Sequence, residues 1–342
     1  MRTAGIVTLE DASTAPTVTV VLPTLNERGF IRDALDSLLA QDYSSIVEIL
    51  VCDGGSSDGT REIVKASASP VRLLDNPGVT AAAGMNVGIA NAGGDIVCRA
   101  DAHTVYANDY VRRCVETLIE TGADNVGGRM VPVGTSAFGR AVAAVTSSPF
   151  GVGPGRFHYA EQRQDVDTVY LGCWRRETLR EVGGYDEHAL QWAAEDQELN
   201  FRLRSRGGRV VLDPSIRSWY FPREDPRSLA RQYANYGMAK ASTLAKHRTL
   251  PTWRPLAPAA LVAVTVLGVL TQHGWRRAAV PGAHAAVLAV AATRIGRAPG
   301  VAPHRAFGAL QICHWSYGAG FWRGVARILS GRSFDARPRG HR

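Results

Sequence analysis

Short apolar blocks alternate with longer blocks of helical spacing along the first part of the chain. Residues 17–22 (TVTVVL) are apolar and β-branched, which predicts a buried strand closed by Pro23. Residues 27–40 then place Phe30, Ala34, Leu35, Leu38 and Leu39 on one helical face. A second buried strand is predicted at 47–52 (VEILVC), stopped by Asp53-Gly54-Gly55-Ser56-Ser57-Asp58-Gly59. Residues 60–66 read as a helix, 71–74 as a strand, 80–92 as an Ala/Gly-rich helix and 95–99 (DIVCR) as a fourth strand. This alternation predicts an α/β fold, a mostly parallel sheet flanked by helices on both faces.

Beyond residue 125 the pattern is weaker. Residues 126–170 are rich in Gly and Pro and read as an irregular, mobile loop. A short helix is expected at 175–183, ending on Gly183-Gly184. Another is expected at 194–206, with Leu199 and Leu203 on its packed face, and a short strand at 210–212 before Asp213-Pro214. Near residue 225 the character changes. Segments 255–274 and 278–293 contain no Lys, Arg, Asp or Glu, and 306–322 is a third, weaker apolar stretch. A membrane-spanning helix needs about 20 apolar residues, and these segments sit at or just under that length. They predict a helical, membrane-associated region that either spans the bilayer or lies in its interface.

Charge divides at the same place. Residues 1–225 hold 22 basic and 30 acidic residues, whereas 226–342 hold 17 basic residues and one acid, Asp335. A basic tail seeks nucleic acid or an anionic membrane. The apolar segments between its arginines select the membrane and exclude nucleic acid. Residues 1–16 carry Glu10 and Asp11 and lack the apolar core of a secretion signal, so a flexible tail is expected there and the catalytic part at the cytoplasmic face of the cell membrane. The organisation expected is a tail (1–16), a catalytic domain (17–225) and the C-terminal region (226–342). The five cysteines show no CxxC pair, which predicts neither a zinc site nor a disulfide framework.

In a parallel sheet the ligand sits beyond the carboxyl ends of the strands. Polar clusters stand at those ends: Pro23-Thr24-Leu25-Asn26-Glu27 after the first strand, Asp53-Gly54-Gly55 after the second, Asp101-Ala102-His103 after the fourth. Asp53 suits a hydrogen bond from a base or ribose edge, or equally a cap on the following turn. Asp101 and His103 alternate on an extended segment and face one way, which suits a divalent metal such as Mn2+ and, less well, Mg2+. Glu195-Asp196 open a helix, where the dipole favours acids whether or not they react.

The set VVLPTLNE (20–27), CDGGSSDGT (52–60), AAAGMNVGIANAGGDIVCRADAH (81–103), GGYDE (183–187) and AEDQELNFRLRSRGGRVVLDP (194–214) resembles the family 2 inverting glycosyltransferases of GT-A fold. Within that family RADAH (99–103), RQYANYG (231–237) and HWSYGAGFWRG (314–324) look like the succinoglycan-biosynthesis group. The resemblance implies that Pro23, Thr24, Asn26 and Glu27 hold the donor's base and ribose with Asp53 and Gly54. It implies that Gly84 and Asn86 line the sugar-diphosphate pocket and that Arg99 belongs to the same site. Asp101, with His103, would hold the metal, and Asp196, beside Glu195, would be the catalytic base. The donor implied is a nucleotide-diphosphate sugar, a UDP-sugar by preference, and the acceptor a polyprenyl-diphosphate-linked saccharide.

Two positions depart from the pattern. Asp101-Ala102-His103 stands where many relatives carry Asp-x-Asp. Arg231-Gln232-Tyr233-Ala234-Asn235-Tyr236-Gly237 replaces the Gln-x-x-Arg-Trp of processive synthases, which points to a single transfer per encounter. A polyprenyl-phosphate sugar synthase and a non-catalytic, membrane-bound nucleotide-sugar-binding scaffold stay open as alternatives.

Overall fold

The computed structural model describes residues 15–153, 155–187, 195–248 and 253–331. The expected tail over 1–16 and the start of the 194–206 helix at Ala194 therefore fall wholly or mainly outside the described residues.

The four predicted strands are present as β1 (Val18–Thr24), β2 (Ile46–Asp53), β3 (Val71–Asp75) and β4 (Ile96–Arg99). Helices α1 (Ile31–Leu39), α2 (Thr60–Lys65) and α3 (Ala81–Asn91) separate them. The rest of the chain supplies β5 (Thr104–Tyr106), α4 (Tyr110–Thr121), β6 (Asn125–Pro132), α5 (Ala137–Thr146), α6 (Pro149–Val152), β7 (Gln164–Asp165) and β8 (Tyr170–Arg175). It continues through α7 (Arg176–Val182), α8 (Glu195–Ser205) and β9 (Val210–Tyr220). One sheet runs in the order β3-β2-β1-β4-β8-β6-β9-β5, with β7 on β9. The β3-β2-β1-β4 half is parallel, as expected. The other half mixes directions: β8 is antiparallel to β4 and β6, and β5 to β9, whereas β6 and β9 run parallel. The sheet is therefore mixed, with buried apolar layers on each face.

Two expectations are corrected. The 126–170 segment is not an irregular loop, since it contains β6, α5, α6 and β7. Its glycines serve close packing: a Cβ on Gly127 would lie 2.6 Å from the Val169 side chain, and one on Gly128 2.0 Å from the Ile216 carbonyl oxygen. Ser136 caps α5 by accepting from Gly139 N. The strand at 210–212 runs on to Tyr220. The register against β6 jumps between Gly127↔Leu212 and Arg129↔Arg217, and Pro214, with no N–H to give the ladder, sits inside that irregularity.

The C-terminal region consists of α9 (Pro226–His247), α10 (Ala257–Thr271), α11 (Ala279–Ile295) and α12 (Pro303–Leu329). The third apolar stretch is part of α12, whose inner face packs on α5, α9 and α11. Helices α9 and α12 approach closely through glycine. A Cβ on Gly237 would meet the Tyr317 carbonyl oxygen at 2.0 Å, and one on Gly320 the Ala234 carbonyl oxygen at 2.0 Å. By contrast α10 and α11 present Val264, Leu267, Val269, Leu270, Val287 and Val290 to the outside. Gly274–Ile295 is long and apolar enough to cross a membrane, with a mean hydropathy of 1.4.

Candidate active site

The carboxyl ends of β2, β1 and β4 lie side by side, so the three predicted polar clusters do share one rim. Thr24 is the register partner of Asp53, and Val21 that of Arg99. The loops after β1 and β2 are stitched together. Gly54 N donates to Thr24 O at 2.8 Å, Asn26 N to Ser56 Oγ at 2.8 Å, and Ser57 N to Asn26 Oδ1 at 3.0 Å. Asn26 holds a left-handed backbone (φ 54°), a conformation asparagine tolerates better than most residues. Glu27 N donates to Thr60 Oγ1 at 2.9 Å.

Asp53 is buried, and its carboxylate is already engaged. Gly55 N, Ser56 N and Arg61 Nη1 donate to Oδ1, while the Ser56 hydroxyl donates to Oδ2. Burial alone would raise its pKa; the Ser56, Arg61 and Gly55 donors outweigh it and hold the carboxyl below its usual range. Gly54 packs on the backbone of Val79, where a Cβ would stand 2.9 Å from the carbonyl oxygen. Gly84 gives Pro23 room, since a Cβ there would meet the Pro23 Cβ at 2.9 Å. Asn86 clamps the GGYDE turn: its Nδ2 donates to Tyr185 O and Glu187 Oε1, and its Oδ1 accepts from Tyr185 N. Gly84 and Asn86 thus support neighbouring chain segments.

The strongest electrostatic feature centres on Arg99, the last residue of β4 and only 5 % exposed. Its guanidinium donates to Asp101 Oδ1 (3.2 Å), Glu195 Oε1 (2.9 Å) and Asp196 Oδ1 (2.6 Å). It also lies 5.9 Å from the centre of the Tyr185 ring. The Tyr185 hydroxyl donates to the same Asp196 oxygen at 2.9 Å. Burial pushes the Asp196 carboxyl up; Arg99 opposes this, Glu195 and Asp101 add to it, and the group settles at about 7. The Asp101 backbone is fixed by Tyr106, whose hydroxyl accepts from Asp101 N at 2.7 Å and donates to Asp101 O at 3.1 Å.

His103 lies apart from this cluster. Its Nδ1 faces Glu27 Oε1 at 3.5 Å, and its ring meets Tyr220 edge-on. Burial would lower its pKa, but Glu27 and Asp101 outweigh that and raise it. Gln232 on α9 donates to the hydroxyls of Tyr220 and Tyr236 at 3.1 and 3.0 Å, which brings the C-terminal region to the rim. Sequence reasoning missed Tyr185, Tyr106 and Tyr220. The tyrosine inside GGYDE, directly before two acids, was the one local signal for Tyr185.

The Glycosyl transferase family 2 profile matches residues 19–170. The chain is 32 % identical to the succinoglycan biosynthesis protein ExoA of Rhizobium meliloti, over 92 % of this chain and 96 % of that one. It is 26 % identical, over 67 % of this chain and 74 % of the other, to a Methanococcus voltae dolichyl N-acetyl-α-D-glucosaminyl phosphate glucuronosyltransferase that transfers a diacetamido-dideoxy sugar. The fold resembles that of the mannosyltransferase PcManGT from Pyrobaculum calidifontis, solved with GDP-Man and Mn2+, at a TM-score of 0.62 and 19 % identity over 92 % of this chain and 88 % of that one. With its acidic rim on a GT-A sheet and a full-length relative of this kind, the chain belongs to glycosyl transferase family 2.

Proposed function

We propose that the protein is an inverting, non-processive, metal-dependent glycosyltransferase that moves a sugar from a nucleotide-diphosphate donor to a hydroxyl of a lipid-linked saccharide in exopolysaccharide or cell-envelope glycan synthesis. The observation that carries this reading is the gathering of Asp101, Glu195 and Asp196 on Arg99 at the carboxyl edge of β4.

The parts fit the chemistry. Asp196 has its Oδ1 held by Arg99 and Tyr185, and Oδ2, which makes no hydrogen bond among the described residues, would receive a proton from the attacking acceptor hydroxyl. A carboxyl poised at about 7 is matched to that task near neutral pH. As the acceptor oxygen bonds to the anomeric carbon, the bond to the nucleoside diphosphate breaks on the opposite face, so an α-linked donor yields a β product. Asp101 fits a divalent cation: Oδ1 takes both Arg99 bonds, and Oδ2 makes no hydrogen bond among the described residues. His103 would join it through Nε2, its Nδ1 being turned to Glu27 as metal-bound imidazoles turn to a carboxylate. A bound cation neutralises charge on the departing diphosphate. The stitched loops holding Pro23, Thr24, Asn26, Glu27, Asp53 and Gly54 flank the same rim and support a role in seating the base and ribose, with Gly84 and Asn86 shaping the wall behind them.

The apolar faces of α10 and α11, with Trp253, Trp275, Arg276 and Arg277 beside them, suit a bilayer interface better than solvent. They support membrane association that brings a polyprenyl-diphosphate-linked acceptor to the rim. The test is transfer from a panel of UDP- and GDP-sugars into a membrane lipid extract, with and without Mn2+, beside Asp196→Asn. Metal-dependent transfer onto lipid-linked saccharide, lost in Asp196→Asn, is the expected result. Transfer onto a bare polyprenyl phosphate would replace this reading with a lipid-phosphate sugar synthase. Binding of nucleotide with no turnover of any donor would leave only a scaffold.

A further inference from the structure

Five cysteines stand far apart in sequence, yet the fold brings Cys98, Cys114 and Cys173 together, with their Sγ atoms all within 4.8 Å of one another. They come from β4, α4 and β8, and none is more than 1 % exposed. Cys98 and Cys173 are register partners across the antiparallel β4–β8 pair. Arg176 N donates to Asp95 O at 2.8 Å, and hydrogen-bonded and non-hydrogen-bonded pairs alternate along such a ladder. Cys98 and Cys173 therefore fall on a non-hydrogen-bonded pair, where the side chains leave one face close together. On that face lies α4, whose buried stripe of Val111, Cys114, Val115 and Leu118 belongs to the same apolar cluster as Cys98 and Cys173.

We propose that these three thiols form a trigonal thiolate site for a soft cation, zinc or cuprous copper, distinct from the oxygen-lined rim. Three sulfurs bound to zinc at about 2.3 Å would stand roughly 4 Å apart, so Cys98 Sγ and Cys173 Sγ, 2.7 Å apart here, would spread by about 1 Å on binding. Sulfur-only ligands in a dry pocket select a soft cation and reject the hard ions that suit carboxylates and phosphates. Binding releases thiol protons and forms metal–sulfur bonds, so no oxidant is involved. The site ties β4, α4 and β8 to each other, and Cys98 directly precedes Arg99. A cation here would fix the strand that carries the hub of the carboxylate cluster.

The experiment uses the full chain, produced in zinc-supplemented medium and dialysed against EDTA to strip ions from the exposed rim. About one equivalent of zinc per chain should remain, come off only on unfolding, and be lost in Cys98→Ala and in Cys114→Ala. Refolding with Cd2+ should give the ultraviolet charge-transfer band of cadmium thiolate. Thiol titration of the unfolded wild type needs no variant to fold. Five free thiols with no metal released would mean three packed hydrophobes, and three free thiols with no metal a Cys98–Cys173 disulfide; either result overturns the proposal.

Discussion

Around Arg99 a buried guanidinium gathers three half-buried carboxylates, whereas along α10 valines and leucines face outward, Leu270 at 75 % exposure. The two halves invert the usual division between core and surface, each for its own reason. Desolvated charge in the first half is tolerated because every acid shares one cation, and burial tunes Asp196 toward neutrality. Exposed apolar surface in the second half, flanked by arginines and free of acid over residues 226–331, has a natural solvent in an anionic bilayer. On the proposed reading, one half would prepare a reaction and the other would select where it happens.

This division can be broken at several points. Asp196→Asn should lower the transfer rate about 10²–10⁴-fold while nucleotide binding persists, measured by nucleoside diphosphate release against equilibrium binding. A full-rate variant would remove Asp196 from the chemistry. Arg99→Met strands three acids; it should cost about 3–5 kcal/mol of stability, read from denaturant midpoints, and abolish transfer with it. Leu267→Glu with Leu270→Glu on α10 should release the protein from anionic vesicles in a flotation assay by about tenfold or more, yet leave donor hydrolysis in detergent unchanged. Equal loss of both would mean that the halves are not separable.

Smaller effects sharpen the picture. Transfer should rise as pH increases through about 7, because Asp196 acts as a base only when deprotonated; a rate–pH profile in saturating donor reads this directly. Tyr185→Phe removes a hydrogen bond that lowers the Asp196 pKa, so the acid limb of that profile should move to higher pH with little change at the plateau.

The parallel half of the fold was legible because each strand is a short β-branched run between a helical repeat and a turn, and its polar residues fall at strand ends. The mixed half was not. Gly127 and Gly128 read as loop residues, but they are strand positions where a neighbouring chain leaves no space for a Cβ. Pro214 read as a strand end, but it lies in a register shift. Asp53, Asp101, Glu195 and Asp196 were singled out by station or by resemblance, and all four stand at the carboxyl rim or on the Arg99 cluster. The closing of Glu195 and Asp196 onto Arg99 and Asp101 left no local pattern, since it joins segments about a hundred residues apart. The gathering of three cysteines was hidden likewise: spacing along the chain says nothing about register pairing between β4 and β8.

Helices α9 and α12 touch backbone to backbone at Gly237 and Gly320, and α9 also carries Gln232, hydrogen-bonded to Tyr220 beside His103. The tail is therefore a stiff lever rather than a tether. If α10 and α11 rest on a bilayer as proposed, a tilt of α12 would pass through this close packing to α9 and to the Gln232–Tyr220 contact at the rim. Side chains at Gly237 or Gly320 would jack the two helices apart, and with them the reach of the active site toward the surface it serves.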